Sequence, residues 1–129
     1  MNKYTKLTDF EINKKVARNM LPAEYHFNEK NKQVELIRFI GDTNKYEVYG
    51  SFDPCNNPSD AMPIIIENKI SLLAGDSNFW CARYGEWTLL PHPSGIEFIE
   101  KAQVINDSPY RAAMELFLLM KDAERETNT

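Results

Sequence analysis

The sequence contains four histidine and cysteine side chains, which can bind transition metals. They are His26, Cys55, Cys81 and His92. Zinc sites use ligands in closely spaced pairs, and no two of these four residues are close in the sequence. The five glycines occur singly, so the sequence also contains no glycine-rich phosphate loop. We therefore expect no metal and no cofactor.

Acid–base chemistry requires groups that the fold brings within hydrogen-bond reach of each other. Asp53, Asp60 and Glu67 are candidate carboxylates for such a pair, and Cys55 is a candidate nucleophile. Cys81 lies in an apolar stretch typical of a strand, which favours a buried thiol instead. These residues keep open the alternative of an enzyme that acts on a nucleotide-like molecule.

The segment 55–70, CNNPSDAMPIIIENKI, predicts a short helix. Pro63 is tolerated in the first helical turn, where N–H groups have no partner, and this places the N-cap at Asp60. Ile64–Ile66 are then expected to face the core, and Asn68 is expected to end the helix.

Asn56 and Asn57 present amide groups directly before this helix, where Pro58 keeps Asn57 extended. A helix N-terminus attracts anions and polar groups because its first N–H groups are free. We consider both asparagines candidate ligand-binding residues for a small polar or anionic ligand. The alternative is that they serve only as turn residues.

A second candidate site is an aromatic cluster with an arginine, Phe79 to Trp87. Strand alternation places Trp80 and Tyr84 on one face and Arg83 on the other. Aromatic and arginine side chains suit planar ligands or a protein partner. Trp80, Arg83 and Tyr84 are therefore candidate binding residues, and the alternative is that the aromatic rings supply core area.

The 129-residue chain carries 19 acidic and 15 basic residues, a net charge of −4. This mild acidity argues against direct nucleic-acid binding, which needs a positive surface. The sequence has no apolar run of about 20 residues and no signal-peptide pattern, so we expect a cytoplasmic protein with free thiols and no membrane contact.

The elements that position these residues predict an α+β fold with a mostly antiparallel sheet. Thr8 and Glu11 form a capping box for a helix that ends before Pro22. β-Branched and aromatic residues predict a hairpin over 33–52, and strands over 70–73 and 79–84. Trp87–Leu90 and Ile96–Ile99 are expected to be short strands at the sheet edge.

A long C-terminal helix is capped by Ser108 and begins at Pro109. Apolar residues lie on all sides of this helix, so all sides must be buried. We therefore predict a homodimer through Pro109–Met120. We expect one globular domain over residues 1–121 and a frayed polar tail over 122–129.

The segments CNNPSDAMPIIIENKISL, FWCARY and SPYRAAMELFLLMK, with the start LTDFEINKKVA, resemble the NinX family of lambdoid phages and prophages. The resemblance covers most of the chain and implies a small accessory protein made in the infected bacterium. It carries over no catalytic residues. The positions that match the family are Asn57, Pro58, Asp60, Ala61, Pro63, Ile64, Pro109, Arg111, Ala112, Ala113 and Met114.

The leading hypothesis is a non-enzymatic binding module that acts on a host protein or a small ligand, for host takeover or counter-defence. The alternatives are the enzyme described above and a structural dimer built on the C-terminal helix.

Overall fold

The computed structural model describes residues 2–22, 24–91 and 94–127. The described residues form three helices and two three-stranded antiparallel sheets, which is the predicted α+β domain. The helices are α1 (Asp9–Met20), α2 (Pro58–Glu67) and α3 (Pro109–Thr127). The strands are β1 (Tyr25–Asn28), β2 (Gln33–Phe39), β3 (Tyr46–Phe52), β4 (Ser71–Ala74), β5 (Trp80–Pro91) and β6 (Ser94–Asn106).

Helix α1 begins as its sequence predicts. The Thr8 hydroxyl accepts a hydrogen bond from the Glu11 N–H at 3.2 Å, and the Glu11 carboxylate accepts one from the Thr8 N–H at 3.4 Å. These two bonds are the predicted capping box. The helix buries Ile12 and Val16 against the core and ends before Pro22, which has no N–H to continue it.

Helix α2 begins three residues earlier than predicted. Its N-cap is Asn57, whose side-chain oxygen accepts a hydrogen bond from the Ser59 N–H at 3.0 Å. The predicted cap at Asp60 is wrong, because Pro58 occupies the first helical position, where its missing N–H needs no partner. Pro63 therefore lies inside the helix, and the packing of α2 tolerates one lost backbone hydrogen bond.

The three isoleucines of α2 lie in different environments. Ile64 and Ile65 are buried, whereas Ile66 is 65% exposed. The prediction that all three face the core is wrong for Ile66, because successive helical residues point about 100° apart. Asn68 ends the helix as predicted, and its side-chain amide donates to the Ile64 carbonyl oxygen at 2.8 Å.

Helix α3 forms the centre of the core. The Ser108 hydroxyl accepts from the Arg111 N–H at 3.2 Å and Pro109 is the first helical residue, as predicted. Every residue from Arg111 to Leu118 is buried by elements of the same chain. These residues of α3 therefore have cover within one chain, and the homodimer through Pro109–Met120 stays a prediction.

The C-terminal end of α3 is longer than predicted. The residues from Asp122, expected to form a tail, are helical as far as Thr127. The Asp122 carboxylate accepts a hydrogen bond from the Tyr4 hydroxyl at 2.5 Å and forms an ion pair with Lys3 at 3.1 Å. Burial and the bond to Asp122 raise the pKa of Tyr4 to about 12. Burial also acts to raise the pKa of Asp122, but the bonds from Tyr4 and Lys3 outweigh it and lower that pKa.

Two hairpins extend from the helical core. The predicted hairpin over 33–52 is confirmed as β2 and β3, to which the unpredicted β1 adds a third strand. The strands predicted at 70–73 and 79–84 appear as β4 and the first half of β5. The expectation of separate short edge strands is wrong, because Trp87–Leu90 and Ile96–Ile99 are the outer halves of the long paired strands β5 and β6.

Each hairpin changes register where it leaves the core. The shift lies between Leu36 and Ile37 in the first hairpin, and between Tyr84 and Gly85 in the second. A Cβ atom on Gly85 would lie 2.2 Å from the carbonyl oxygen of Ile99. The close approach of the two strands at this bulge therefore requires glycine.

Candidate functional site

A network of carboxylates and amides fixes the loop between β3 and α2. The Asn56 amide donates to Asp9 at 3.2 Å and to Asp53 at 3.1 Å. The Asn13 amide donates to Asp53 at 2.7 Å, and its oxygen accepts from the Cys55 N–H at 3.2 Å. These bonds connect the beginning of α1 to the loop that leads into α2.

The two asparagines predicted to bind a ligand thus have partners within the chain. Asn56 contacts two carboxylates, and Asn57 caps α2 through the Ser59 N–H. A ligand at the N-terminus of α2 would have to replace these hydrogen bonds. The ligand-binding role of Asn56 and Asn57 stays a prediction.

Of the candidate acid–base and nucleophilic groups, Asp53, Cys55 and Asp60 lie in the same network. Asp60 Oδ2 accepts from the Asp53 N–H at 2.9 Å, so its carboxylate positions the loop backbone. Cys55 is 1% exposed, and burial, above all other causes, raises the pKa of its thiol well above its usual range. A protonated, buried thiol is a poor nucleophile. Glu67 lies at the other end of α2.

The remaining metal-type side chains are dispersed over the sheets. His26 Nε2 lies 2.8 Å from Glu35 across β1 and β2. Cys81 lies on β5, where burial raises the pKa of its thiol and the nearby Arg83 acts in the opposite direction. His92 lies outside the described residues. Within the described ranges, no three His, Cys, Asp or Glu side chains are grouped to hold a metal ion.

Arg111 connects α3 to the N-terminal segment. Its guanidinium donates to Glu115 and to Asp9, each at 2.7 Å, and to the carbonyl oxygens of Tyr4 and Leu7 at 3.0 and 2.7 Å. Burial acts to lower the pKa of Arg111, but the two carboxylates outweigh burial and raise it. Arg111 is one of the positions that match the family pattern, and its contacts here are structural.

The predicted aromatic site on β5 divides between two faces. Tyr84 packs against the core and lines a cavity of about 380 Å³ with Lys101 and Met120. Arg83 pairs with Glu100 at 2.7 Å, and its guanidinium lies 4.6 Å from the centre of the Phe98 ring.

Trp80 is half-buried at the beginning of β5, where it pairs with Asn106. Alternation gives Trp80 the same strand face as Tyr84, but Tyr84 packs against the core cluster, whereas Trp80 lies outside it. Arg83 does not share that face, and the predicted binding role of the three residues stays a prediction.

Two apolar surfaces that we did not predict lie at the outer ends of the hairpins. The first, called the aromatic tip, consists of side chains that are 42% to 53% exposed. They are Phe39, Ile40, Tyr46, Val48 and Tyr49. Beside them, the Arg38 guanidinium pairs with Glu47 at 2.9 Å and lies 5.1 Å from the centre of the Tyr49 ring.

The second surface, called the aliphatic arm, comprises residues 85–91 and 95–100 of β5 and β6. Its apolar side chains are Trp87, Leu89, Leu90, Ile96, Phe98 and Ile99, of which all but the half-buried Phe98 are 40% to 72% exposed. A sequence signal for it existed, because Leu89 and Leu90 are adjacent. A strand with one buried face alternates apolar and polar residues, whereas this strand carries apolar residues on both faces.

The fold and these surfaces define a small single-domain α+β protein with two apolar hairpin ends. No helix in the described ranges has the length and apolar character needed to cross a membrane.

A family model described as "Bacteriophage P22, NinX" matches residues 3–121. The chain therefore belongs to the NinX family, as its sequence motifs indicate, and is a phage accessory protein. No curated protein and no solved structure matches the chain.

Proposed function

We propose that this phage accessory protein is a non-enzymatic binding module that engages a host protein in the bacterial cytosol, for host takeover or counter-defence. The observation that carries the proposal is the aromatic tip, which projects apolar rings from the outer end of a three-stranded sheet.

The residue types of the aromatic tip suit a partner that binds and dissociates. Protein interfaces are enriched in tyrosine, phenylalanine and arginine, and tyrosine and arginine are frequent where truncation costs most affinity. Tyr46 and Tyr49 each combine an apolar ring with a hydroxyl that is solvated before binding. The aromatic tip can therefore contribute contact area to a complex and remain exposed to water when no partner is bound.

The charges beside the tip are balanced. Arg38 and Glu47 pair across β2 and β3, and their side chains are 64% and 53% exposed. A complementary partner surface would hold an apolar pocket for Phe39 and Tyr46, with polar groups at its rim for the tyrosine hydroxyls.

Affinity capture from infected bacteria, with photo-crosslinking at position 48 of the aromatic tip, tests the proposal. The variant Phe39→Ser/Tyr46→Ser removes a cross-strand pair of the tip, and we expect at least a tenfold loss of the captured host protein, about 1.4 kcal/mol. The matched control Leu89→Ser/Ile96→Ser removes a cross-strand pair of the other hairpin and should leave the affinity of the aromatic tip unchanged. Capture unaffected by the tip substitutions would refute the proposal.

A second candidate function, the binding of a small ligand, is favoured by the cavity between Tyr84 and α3. Its volume of about 380 Å³ lies at the lower end of the range for small-molecule sites, and Lys101 supplies a cation at its edge. Native mass spectrometry of protein purified from infected cells tests this candidate. A bound mass that is lost on Met120→Trp, which fills the cavity, would support it, and an unliganded protein would count against it.

A further inference from the structure

The aliphatic arm extends beyond the rest of its sheet. Strand β4 pairs only with Trp80–Arg83 of β5. From Gly85 outward, the described part of the chain shows β5 paired with β6 alone. A two-stranded hairpin is marginally stable in water unless a third strand or another element packs on it. The arm therefore has less support than its length requires.

Both faces of the arm carry exposed apolar side chains. Trp87, Leu89 and Ile96 lie on one face and are 58%, 72% and 62% exposed. Leu90 and Ile99 lie on the opposite face and are 40% and 60% exposed. The face of Leu90 and Ile99 also carries the polar residues Glu86, Thr88 and Glu97, as expected of a face that borders solvent. The apolar face that lacks cover is therefore the Trp87 face.

The exposed apolar side chains of the Trp87 face and the adjoining Ile66 present on the order of 500 Å² of surface. Such an area lies in the range of the largest patch on a typical monomer, about 300–600 Å², which is often functional. Each partner contributes roughly 800 Å² to a standard interface, part of which is a polar rim. The Trp87 face is therefore large enough for the apolar centre of such an interface.

The base of the arm contains a groove of matching character. Its volume is about 540 Å³, and it lies between α2 and β5. Its apolar walls include Met62, Ile66, Ile70, Trp87 and Phe98. The arm tip at Leu89 lies about 13 Å from the base at Gly85, since a strand rises roughly 3.3 Å per residue. One molecule thus presents an apolar tip and, at a short distance, an apolar groove.

The charge of the Trp87 face permits contact with an identical face. On that face Arg83 pairs with Glu100 at 2.7 Å, so the two charges balance. The carboxylates of Glu86 and Glu97 lie on the opposite face of the arm. Two copies can therefore approach through the Trp87 face with little electrostatic opposition.

We infer that a second copy of this chain covers the aliphatic arm, in a symmetric dimer in which the tip of each arm lies in the groove at the base of the other. An antiparallel arrangement of the arms brings tip to groove twice, as a two-fold axis requires. The aliphatic composition matches obligate interfaces, which resemble a divided protein core. The dimer differs from the one predicted through Pro109–Met120, and it presents two aromatic tips to partners.

Sedimentation at low micromolar concentration tests the inference. We expect the wild-type chain to have twice the mass of one chain, and Leu89→Ser/Ile96→Ser to be monomeric. The matched control Phe39→Ser/Tyr46→Ser should remain dimeric. A monomeric wild type would overturn the inference, as would a dimer that persists in Leu89→Ser/Ile96→Ser, because that dimer would use another surface.

A second measurement keeps the test valid if the double variant fails to fold. In Trp80→Phe, Trp87 is the only tryptophan, so fluorescence reports on the arm alone. Its emission should move to shorter wavelength as the protein concentration rises through the dissociation constant. Emission that is independent of concentration, with a mass of one chain throughout, would contradict the inference. If the emission is independent of concentration but moves to shorter wavelength when host lysate is added, a host partner covers the arm. That outcome would also overturn the inference.

Discussion

The two hairpins have the same construction and expose different chemistry. Each changes register where it leaves the core, and each carries an arginine that pairs with a glutamate and lies over an aromatic ring. Beyond these shared features, the aromatic tip exposes Tyr46 and Tyr49 beside a solvated ion pair. The aliphatic arm exposes Leu89, Ile96 and Ile99, which have no polar atoms in their side chains.

The difference indicates two kinds of contact. Tyrosine hydroxyls are hydrated when the partner is absent, so the aromatic tip is stable in either state. Each Å² of aliphatic surface that stays in water costs roughly 25 cal/mol of free energy relative to a buried state, which favours permanent cover of the arm. The two proposals thus place exchangeable binding and permanent assembly at different ends of one molecule.

The largest effect is expected from Arg111, which lies in the helical framework that supports both hairpins. Arg111→Met leaves the carboxylate of Glu115, which is 1% exposed, without its buried cation. We expect a loss of about 3–5 kcal/mol in the free energy of unfolding. Urea denaturation measures it, and the double variant Arg111→Met/Glu115→Met should recover much of the loss. Equal losses in the single and double variants would show that the pair is not the cause.

Glycine substitutions at the two bulges compare the hairpins directly. A Cβ on Gly85 would meet the Ile99 carbonyl oxygen at 2.2 Å, whereas a Cβ on Gly50 would meet only the Leu36 side chain at 3.7 Å. We expect Gly85→Ala to cost about 2 kcal/mol and to displace the arm, and Gly50→Ala to stay within about 0.5 kcal/mol of the wild type. Thermal and urea unfolding would measure both, and equal costs would contradict the difference between the bulges.

We expect the melting temperature to rise with protein concentration, and only substitutions in the aliphatic arm should weaken this dependence. Because a dimer is stabilised by mass action, a tenfold rise in concentration should raise the melting temperature of the wild type by about 2–3 °C. Phe39→Ser should keep this dependence and Leu89→Ser should weaken or abolish it. Calorimetry over a hundredfold concentration range measures it, and retention of the full dependence in Leu89→Ser would oppose the assigned interface.

The smallest effect distinguishes the two ion pairs. The side chains of Arg83 and Glu100 are 30% and 32% exposed, so water screens this pair less than Arg38–Glu47, at 64% and 53%. Double-mutant cycles should give a coupling of up to about 1 kcal/mol for the first pair and about 0.3 kcal/mol for the second. A larger coupling for Arg38–Glu47 would reverse the comparison.

Local signals in the sequence predicted the helix starts that depend on neighbouring residues alone. Thr8 with Glu11, and Ser108 with Pro109, provide caps whose partners lie within three residues. The same reasoning failed at α2, since two prolines allowed two starts and Asn57 was used instead of Asp60. It also missed β1, although β1 pairs with β2 across the short turn 29–32 and alternates aromatic with polar residues.

The sequence by itself determined the α+β class, the capped helices α1 and α3, and the family, because each depends on short segments with specific residues. Only the tertiary structure decided which apolar residues are covered. It buries Arg111 to Leu118 of α3 within one chain and leaves most apolar side chains in the outer halves of β5 and β6 exposed. Whether an apolar face is buried depends on the elements from distant parts of the chain that pack against it. Hydrophobic periodicity in the sequence identifies the face but not those elements.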